Sequence, residues 1–307
     1  MKTLNLSTMN KITVIGAGTM GNGIAHVFAQ HGFEVALMDS SVKSLERALQ
    51  TIGTNLDRMI KKEQIPPGER QKILDRIRTS TEIGSAVEGA TLVVEAIPEV
   101  PELKHSLFSQ LDALCPPETI LASNTSSISI SKLAAATRRP EKVLGMHFMN
   151  PVPVMQLVEV IKGYSTSEET GQAVMELARK LEKTPVLVND YPGFIANRIL
   201  MPMINEAIYS LHEGVAGVEA IDTVMKLGMS HPMGPLKLAD FIGLDVCLSI
   251  LQVLYDGFGN PKYAPCPLLV NMVTAGRLGV KSGTGFYSYE RGVKEAVVAR
   301  DFAGKTV

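Results

Sequence analysis

The sequence predicts an α/β fold in which a doubly wound, mainly parallel sheet is followed by an all-helical second domain. Three observations carry this. Short β-branched apolar runs alternate with helical periodicities from Lys11 to Val188. The composition shifts at Asn189-Asp190-Tyr191-Pro192-Gly193. After that shift no convincing strand follows for about 90 residues. At 307 residues the prior is about two domains, and the boundary falls near residue 189. The expected division is a nucleotide-binding domain over 1–189 and a helical domain over 190–307.

The elements follow in order. Ile12, Val14 and Ile15 form a β-branched run that reads as a buried strand. A glycine-rich turn occupies residues 16–21. Ile24, Ala25, Val27 and Phe28 then recur at helical spacing, and Gly32 ends that helix. Residues 34–38 form a second strand with Asp39 at its end, which completes a β-α-β unit. Residues 41–80 read as two helices around the break at Pro66-Pro67-Gly68. Strands are expected at 91–96, 120–123, 143–147, 155–161 and 185–188, with helices near 101–114, 129–137 and 167–181. In the second domain, residues 194–213 carry Ile195, Ile199, Met203, Ala207 and Leu211 at helical spacing, with Gly214 as the stop. Residues 218–227 and 239–255 are further helical patterns. The last dozen residues carry no clear signal.

Composition excludes several classes. Lys and Arg number 30 against 31 Asp and Glu, so bulk charge offers no hold on nucleic acid or an anionic membrane. The chain is long enough to bury a large core without staples. Cys115, Cys247 and Cys266 are far apart and form no CxxC pair, so neither a disulfide framework nor a cysteine-based metal site is expected. A reducing cytoplasmic setting fits this cysteine usage. MKTLNLSTMN lacks the apolar core of a signal peptide, and no run of about 18 apolar residues exists, so neither a leader nor a membrane span is expected.

Gly16-Ala17-Gly18-Thr19-Met20-Gly21 is a GxGxxG that follows a strand and opens a helix. An acid, Asp39, stands 18 residues after Gly21 at the next strand end. In a Rossmann-type unit Gly16 permits the tight turn, Gly18 admits a pyrophosphate, and Gly21 allows close helix packing. The helix N-terminus supplies free N–H groups and a positive dipole end. Asp39 can accept from ribose hydroxyls and would repel a 2′-phosphate, and Ser40 and Ser41 offer no compensating Arg. NAD is therefore expected over NADP. The bland alternative is a glycine-rich turn with no ligand.

His147 closes a strand in Met146-His147-Phe148-Met149-Asn150-Pro151, at the sheet edge where parallel α/β folds bind ligands. Histidine as a residue type titrates near neutrality and suits general-base work. Glu159 lies in the otherwise apolar strand Met155-Gln156-Leu157-Val158-Glu159-Val160-Ile161. A carboxylate there is costly unless paired, and a histidine is a natural partner. An edge-strand Glu facing water is the alternative. Ser123-Asn124-Thr125-Ser126-Ser127 reaches the same edge, either to position a substrate oxygen or nicotinamide, or as a cap and turn for the next helix. Asn197, in the helix opening the second domain, is either a residue of the cleft or a surface amide. From Asp57 to Arg78 seven basic residues face four acids. They form either a solvated hairpin or a landing site for a polyphosphate tail.

Together these residues resemble the L-3-hydroxyacyl-CoA dehydrogenase family, closest to bacterial 3-hydroxybutyryl-CoA dehydrogenases. The resemblance rests on VIGAGTMGNGIA (14–25), VVEAIPE (93–99), ASNTSS (122–127), HFMNPVPVMQLVEVI (147–161), PGFIANRIL (192–200), HPMGPLKLADFIGLD (231–245) and KSGTGFY (281–287). It implies that His147 is the base, Glu159 its carboxylate partner, Ser126 a contact to the substrate oxygen, and Asn197 a catalytic contribution from the helical domain. It implies NAD contacts by the 16–21 loop, Thr19 and Met20 included, and by Asp39, Glu99, Lys104, Asn124 and Lys281. Lys62 matches a position binding CoA phosphates. Asn55 replaces a Ser that relatives use toward CoA, and Val280 replaces a basic residue beside Lys281. A homodimer through the helical domain is also implied. The implied reaction is oxidation of a (S)-3-hydroxyacyl-CoA to the 3-ketoacyl-CoA by hydride transfer to NAD. Two other readings stay open: a dehydrogenase of a free hydroxy acid such as a gulonate-type sugar acid, and a catalytically silent NAD-binding sensor. Residues 194–213 contain no Lys, which argues against dehydrogenases of the 2-hydroxyisobutyrate or phosphogluconate type.

Overall fold

A computed structural model describes residues 9–290 and 296–303 of the chain. The N-terminal stretch read against a leader lies, up to residue 8, outside the described residues. The chain divides into two compact units, the first ending at Tyr191 and the second beginning at Pro192.

The first unit runs β1 (Lys11–Ile15), α1 (Thr19–Gln30), β2 (Glu34–Met38), α2 (Val42–Lys61), α3 (Glu69–Asp75), β3 (Ile77–Ser80), α4 (Ile83–Ala86), β4 (Leu92–Glu95), α5 (Pro101–Leu114), β5 (Ile120–Ser123), α6 (Ile130–Ala134), β6 (Val143–Phe148), β7 (Leu157–Lys162), α7 (Glu168–Lys180) and β8 (Thr184–Asn189). These eight strands form one sheet in the order β3-β2-β1-β4-β5-β6-β7-β8. Every neighbouring pair is parallel except β6 and β7. This is the doubly wound, mainly parallel sheet that the sequence predicts. The central strands β4 and β5 are buried along their whole length, so their apolar residues run continuously rather than alternating. Helix α1 lays Ile24, Ala25, Val27 and Phe28 against Val14, Leu92, Val94 and Leu144 in a single core. The chain turns to β2 on one side of β1 and later to β4 on the other, so a crevice opens at the carboxyl ends of β1 and β4.

In this unit the stretch before residue 80 departs from the sequence reading. The helical stretch expected up to residue 80 ends earlier, and Ile77–Ser80 is the edge strand β3, paired with β2. Only Ile77 is buried there, so neither alternation nor an apolar run marks it as a strand.

Within α1, His26 is completely buried, and neither ring nitrogen has a hydrogen-bond partner among the described residues. Burial, with smaller contributions from His31 and Lys183, pushes its pKa down from 6.5 to about 4. A depressed folded-state value means that the neutral ring is favoured in the fold. The associated stability is present above the unfolded value and is lost as pH falls through the folded one. Between pH 7.5 and 4.5 this amounts to about 2–3 kcal/mol. Urea unfolding at both pH values should show wild type losing about that much more stability than His26→Leu. Equal losses in the two proteins would remove His26 from the acid response.

The second unit contains α8 (Ala196–His212), α9 (Val218–Thr223), α10 (Pro235–Ile242), α11 (Leu244–Phe258) and α12 (Pro267–Thr274), closed by the short antiparallel pair β9 (Tyr287–Ser288) and β10 (Val297–Val298). A π-helical turn, Val224–Gly228, continues α9. The pattern over 239–255 is two helices rather than one: Gly243, at φ +105°, breaks it, and the axes bend by 97°. Strand β10 lies in the last dozen residues, where the sequence carries no signal. It adds the buried Ala299 and Phe302 to the helical core just beyond it. The turn into β9 is held by Asp240, which accepts from the backbone N–H groups of Phe286 (3.0 Å) and Tyr287 (2.9 Å).

The core face of α8 differs from the stripe read in the sequence. Ile195 and Ile199 are 50% and 67% exposed, whereas Met201, Ile204, Ala207, Ile208 and Leu211 are buried. A ladder spaced four residues apart drifts about 40° per step around a helix, so it cannot stay on one face over four turns. Among the described residues no single helix is long and apolar enough to cross a membrane.

Candidate active site

The glycine-rich loop leaves β1 at the crevice. Gly16 has φ +100°, and a Cβ there would stand 2.5 Å from the Ala96 carbonyl oxygen. A Cβ on Gly21 would lie 1.7 Å from the Gly16 carbonyl oxygen, so the third glycine is required by the loop backbone itself. A Cβ on Gly18 would meet nothing within 4 Å. The loop therefore leaves open space at Gly18, beside the first turn of α1, where Thr19 and Met20 begin the helix. Asp39 accepts from Ala17 N (2.8 Å) through one carboxylate oxygen and from Ser41 N (2.9 Å) through the other. It thus holds the loop while keeping acceptor capacity at the end of β2. These features fit a dinucleotide: free helix N–H groups for a pyrophosphate and a carboxylate for a ribose. Gly18→Ala should fold normally, because its space is open, yet weaken NADH binding about tenfold or more. Fluorescence titration beside a melting curve checks this, and unchanged NADH affinity would take the pyrophosphate away from Gly18.

Strand β6 delivers His147, and the antiparallel register of β6 with β7 places Glu159 directly opposite it. The His147 Nδ1 lies 2.9 Å from Glu159 Oε2. Both residues are buried, Glu159 to 2% exposure. Glu159 is not an edge-strand residue, because β8 covers the other side of β7. The carboxylate fixes the proton on Nδ1 and leaves Nε2 as the acceptor. That Nε2 stands 3.0 Å from Ser126 Oγ. Ser126, His147 and Glu159 are thus brought together in one hydrogen-bonded line at the carboxyl edge of the sheet. A ring held this way can take a proton at Nε2 and carry the resulting charge beside a carboxylate.

The turn after β5 is built around other carboxylates. Asn124 Oδ1 accepts from Phe148 N (2.8 Å), which ties the turn to the end of β6. Glu99 Oε1 accepts from Thr125 Oγ1, Ser126 N and Ser127 N at 2.5, 2.9 and 3.1 Å. Burial works against ionisation of Glu99, but Lys104 and these donors outweigh it and hold its carboxyl below the ordinary range. Lys104 is only 1% exposed and donates to Glu95 Oε1 at 2.5 Å, with Glu99 Oε2 at 3.2 Å. The other reading of this segment also has substance, since Ser129 caps α6 and accepts from Lys132 N.

Most of the basic hairpin is engaged locally. Arg70 pairs with Asp57 (2.7 Å) and Lys72 with Glu69 (2.9 Å). Arg76 and Arg78 donate to the carbonyls of Ala29 and Ser85. Asn55 accepts from Arg58, and Lys62 is exposed at the C-cap of α2, seven residues on and so on the same side of the helix. In the second unit, Asn197 is the second residue of α8, and Lys281 pairs with Asp245 in the turn that contains the exposed Val280.

Three residues to which the sequence reading assigns no role of their own help to build these elements. Glu95 ends the otherwise apolar β4 and is fully buried. A carboxylate in an otherwise apolar strand, the signal that singles out Glu159, would have found it. Asp190 accepts from Ser129 Oγ, Ile130 N and Ser131 N and so anchors α6. Lys183 donates to the carbonyls of Val152 and Met155 and fixes the loop between β6 and β7.

Known proteins resemble this chain over most of its length. The family model described as "3-hydroxyacyl-CoA dehydrogenase, NAD binding domain" matches residues 11–191, and "3-hydroxyacyl-CoA dehydrogenase, C-terminal domain" matches residues 193–289. The chain is 56% identical over 282 residues to a Bacillus subtilis (strain 168) protein named "Probable 3-hydroxybutyryl-CoA dehydrogenase", covering 92% of this chain and 98% of that one. It is 53% identical over 288 residues to a 3-hydroxybutyryl-CoA dehydrogenase of Bradyrhizobium diazoefficiens, covering 94% and 98%. The crystal structure of a (S)-3-hydroxybutyryl-CoA dehydrogenase from Ralstonia eutropha superposes with a TM-score of 0.90 at 47% identity, covering 92% of this chain and 100% of that one.

Proposed function

The chain belongs to the 3-hydroxyacyl-CoA dehydrogenase family, and from that premise we propose that it interconverts (S)-3-hydroxybutyryl-CoA and acetoacetyl-CoA. It is an NAD-dependent oxidoreductase. The observation that carries the catalytic reading is the line Ser126–His147–Glu159, at 3.0 and 2.9 Å. The names of the close relatives support the four-carbon substrate.

In the oxidation, His147 accepts the proton of the 3-hydroxyl at Nε2. Glu159 keeps the proton on Nδ1 and stabilises the imidazolium that forms. Ser126 Oγ donates to the substrate oxygen and aligns it with Nε2. NAD, when bound, supplies the acceptor for the hydride leaving C3. In the reduction, the imidazolium returns its proton to the forming alkoxide. Gly18, the α1 N-terminus and Asp39 hold the dinucleotide. The resemblance adds Glu99, Asn124, Lys104 and Lys281 on the NAD side, Lys62 and Asn55 toward the CoA phosphates, and Asn197 to the catalytic set. Lys104, being buried on Glu95 and Glu99, serves through those carboxylates. A cytoplasmic homodimer joined through the helical unit completes the reading, and exposed apolar residues such as Ile199, Leu227 and Phe241 support such a contact.

NADH consumption tests this with acetoacetyl-CoA, free acetoacetate and, in a parallel series, NADPH. Turnover is expected only with the CoA ester and NADH. Turnover of free acids would favour the sugar-acid type of dehydrogenase, and NADH binding without turnover of either would favour a silent sensor.

A further inference from the structure

We propose that Glu95 is a positioning residue that fixes the turn carrying Ser126 against His147. The proposal rests on Ser126 and His147 being the working pair. Glu95 is fully buried, and both of its carboxylate oxygens are committed. Oε1 accepts from Ile97 N (2.7 Å) and Lys104 Nζ (2.5 Å), and Oε2 accepts from Ser123 Oγ (2.6 Å). Two branches leave this carboxylate, and both end on the same turn. The first runs through Ser123, whose Oγ accepts from Thr125 N at 3.1 Å. The second runs through Lys104 to Glu99, whose Oε1 accepts from Ser126 N at 2.9 Å. The three protons of Lys104 find three acceptors: Glu95, Glu99 and the Ile97 carbonyl at 3.1 Å. The turn is therefore held from two directions, and Ser126 Oγ meets His147 Nε2 at 3.0 Å as a result.

A buried ion pair is a weak device for stability alone, because an apolar residue of similar volume serves as well or better. Val93 and Val94 of the same strand show what β4 otherwise carries. The polar position at Glu95 makes sense as a means of placement, because it specifies one conformation of a turn that has no regular structure to hold it.

The test is a double-mutant cycle of Glu95→Gln with Ser126→Ala, reading kcat at saturating NADH and acetoacetyl-CoA. Hydrogen exchange over residues 123–128 of the unliganded protein is measured beside it. Glu95→Gln should lower kcat about 10- to 100-fold with KM for acetoacetyl-CoA changed less than about threefold. In the Ser126→Ala background the same change should cost less than about twofold. Amide exchange in the turn should rise. Wild-type kcat in Glu95→Gln, or an equal loss in both backgrounds, would overturn the proposal while leaving the site reading intact. Wild-type kcat in Ser126→Ala would overturn the site reading and the proposal with it. Should Glu95→Gln fail to fold, Ser123→Ala severs one branch alone and must show the same non-additivity, with additive behaviour overturning the proposal.

Discussion

His147→Gln should bind NADH as wild type does and lose about 10²- to 10⁴-fold in kcat, the range expected for removal of a general base. The dinucleotide loop and Asp39 lie at β1 and β2, whereas His147 lies on β6, four strands across the sheet from β2. The substitution therefore leaves the glycine-rich loop and Asp39 undisturbed. Gln retains a donor and an acceptor and fits a buried position, but it has no group that exchanges a proton near neutrality. Fluorescence titration of NADH and steady-state turnover of acetoacetyl-CoA, on the same preparation, separate the two effects. Near-normal turnover would remove His147 from the mechanism. Loss of NADH binding together with turnover would mean that the substitution acts on the fold.

Glu159→Gln is expected to fall by a comparable factor, about 10²- to 10⁴-fold in kcat, for a different reason. The ring remains, but it loses the charge beside Nδ1 that stabilises the imidazolium, and a Gln amide can turn its N–H₂ toward the ring and favour the wrong tautomer. At 2% exposure, bulk solvent offers little substitute for the missing charge. Two readings follow from this. The pH–rate profile for oxidation should change, because the ring has lost the carboxylate that partners it. The hydride step should slow without a matching rise in KM. An unchanged profile in Glu159→Gln would contradict the pairing.

Much of this architecture is legible in the residues themselves. The β-α-β start is visible because glycine spacing, strand, helix and acid all coincide over residues 11–39, and each has its own physical requirement. The structure adds that Gly21 answers to the Gly16 carbonyl, a contact within the loop that spacing alone does not specify. The pairing of His147 and Glu159 follows from the cost of burying a carboxylate in an apolar strand. The antiparallel turn from β6 to β7 that brings them level is a topological fact beyond the reach of periodicity. Elements with few buried residues are the ones the sequence hides. β3 buries only Ile77, and β10 is two residues long. The exposed start of α8 misleads because an apolar residue can serve an outer face as readily as a core. Long-range polar contacts are hidden altogether. Nothing in the local pattern around Lys104 distinguishes a surface lysine from one buried on Glu95, nine residues earlier. The basic hairpin shows the converse: five of its seven cations are engaged by acids, an amide or backbone carbonyls, which narrows the uncommitted set toward Lys61 and Lys62.

The central claim is that one imidazole gives and takes the proton in both directions of the reaction. Single-turnover rates of 3-hydroxybutyryl-CoA oxidation and acetoacetyl-CoA reduction, each followed by NADH absorbance across pH, test it most directly. Oxidation needs the neutral ring and should lose rate as pH falls. Reduction needs the imidazolium and should lose rate as pH rises. Both limbs should vanish in His147→Gln. The same pH dependence in both directions, or limbs that persist without His147, would contradict the account.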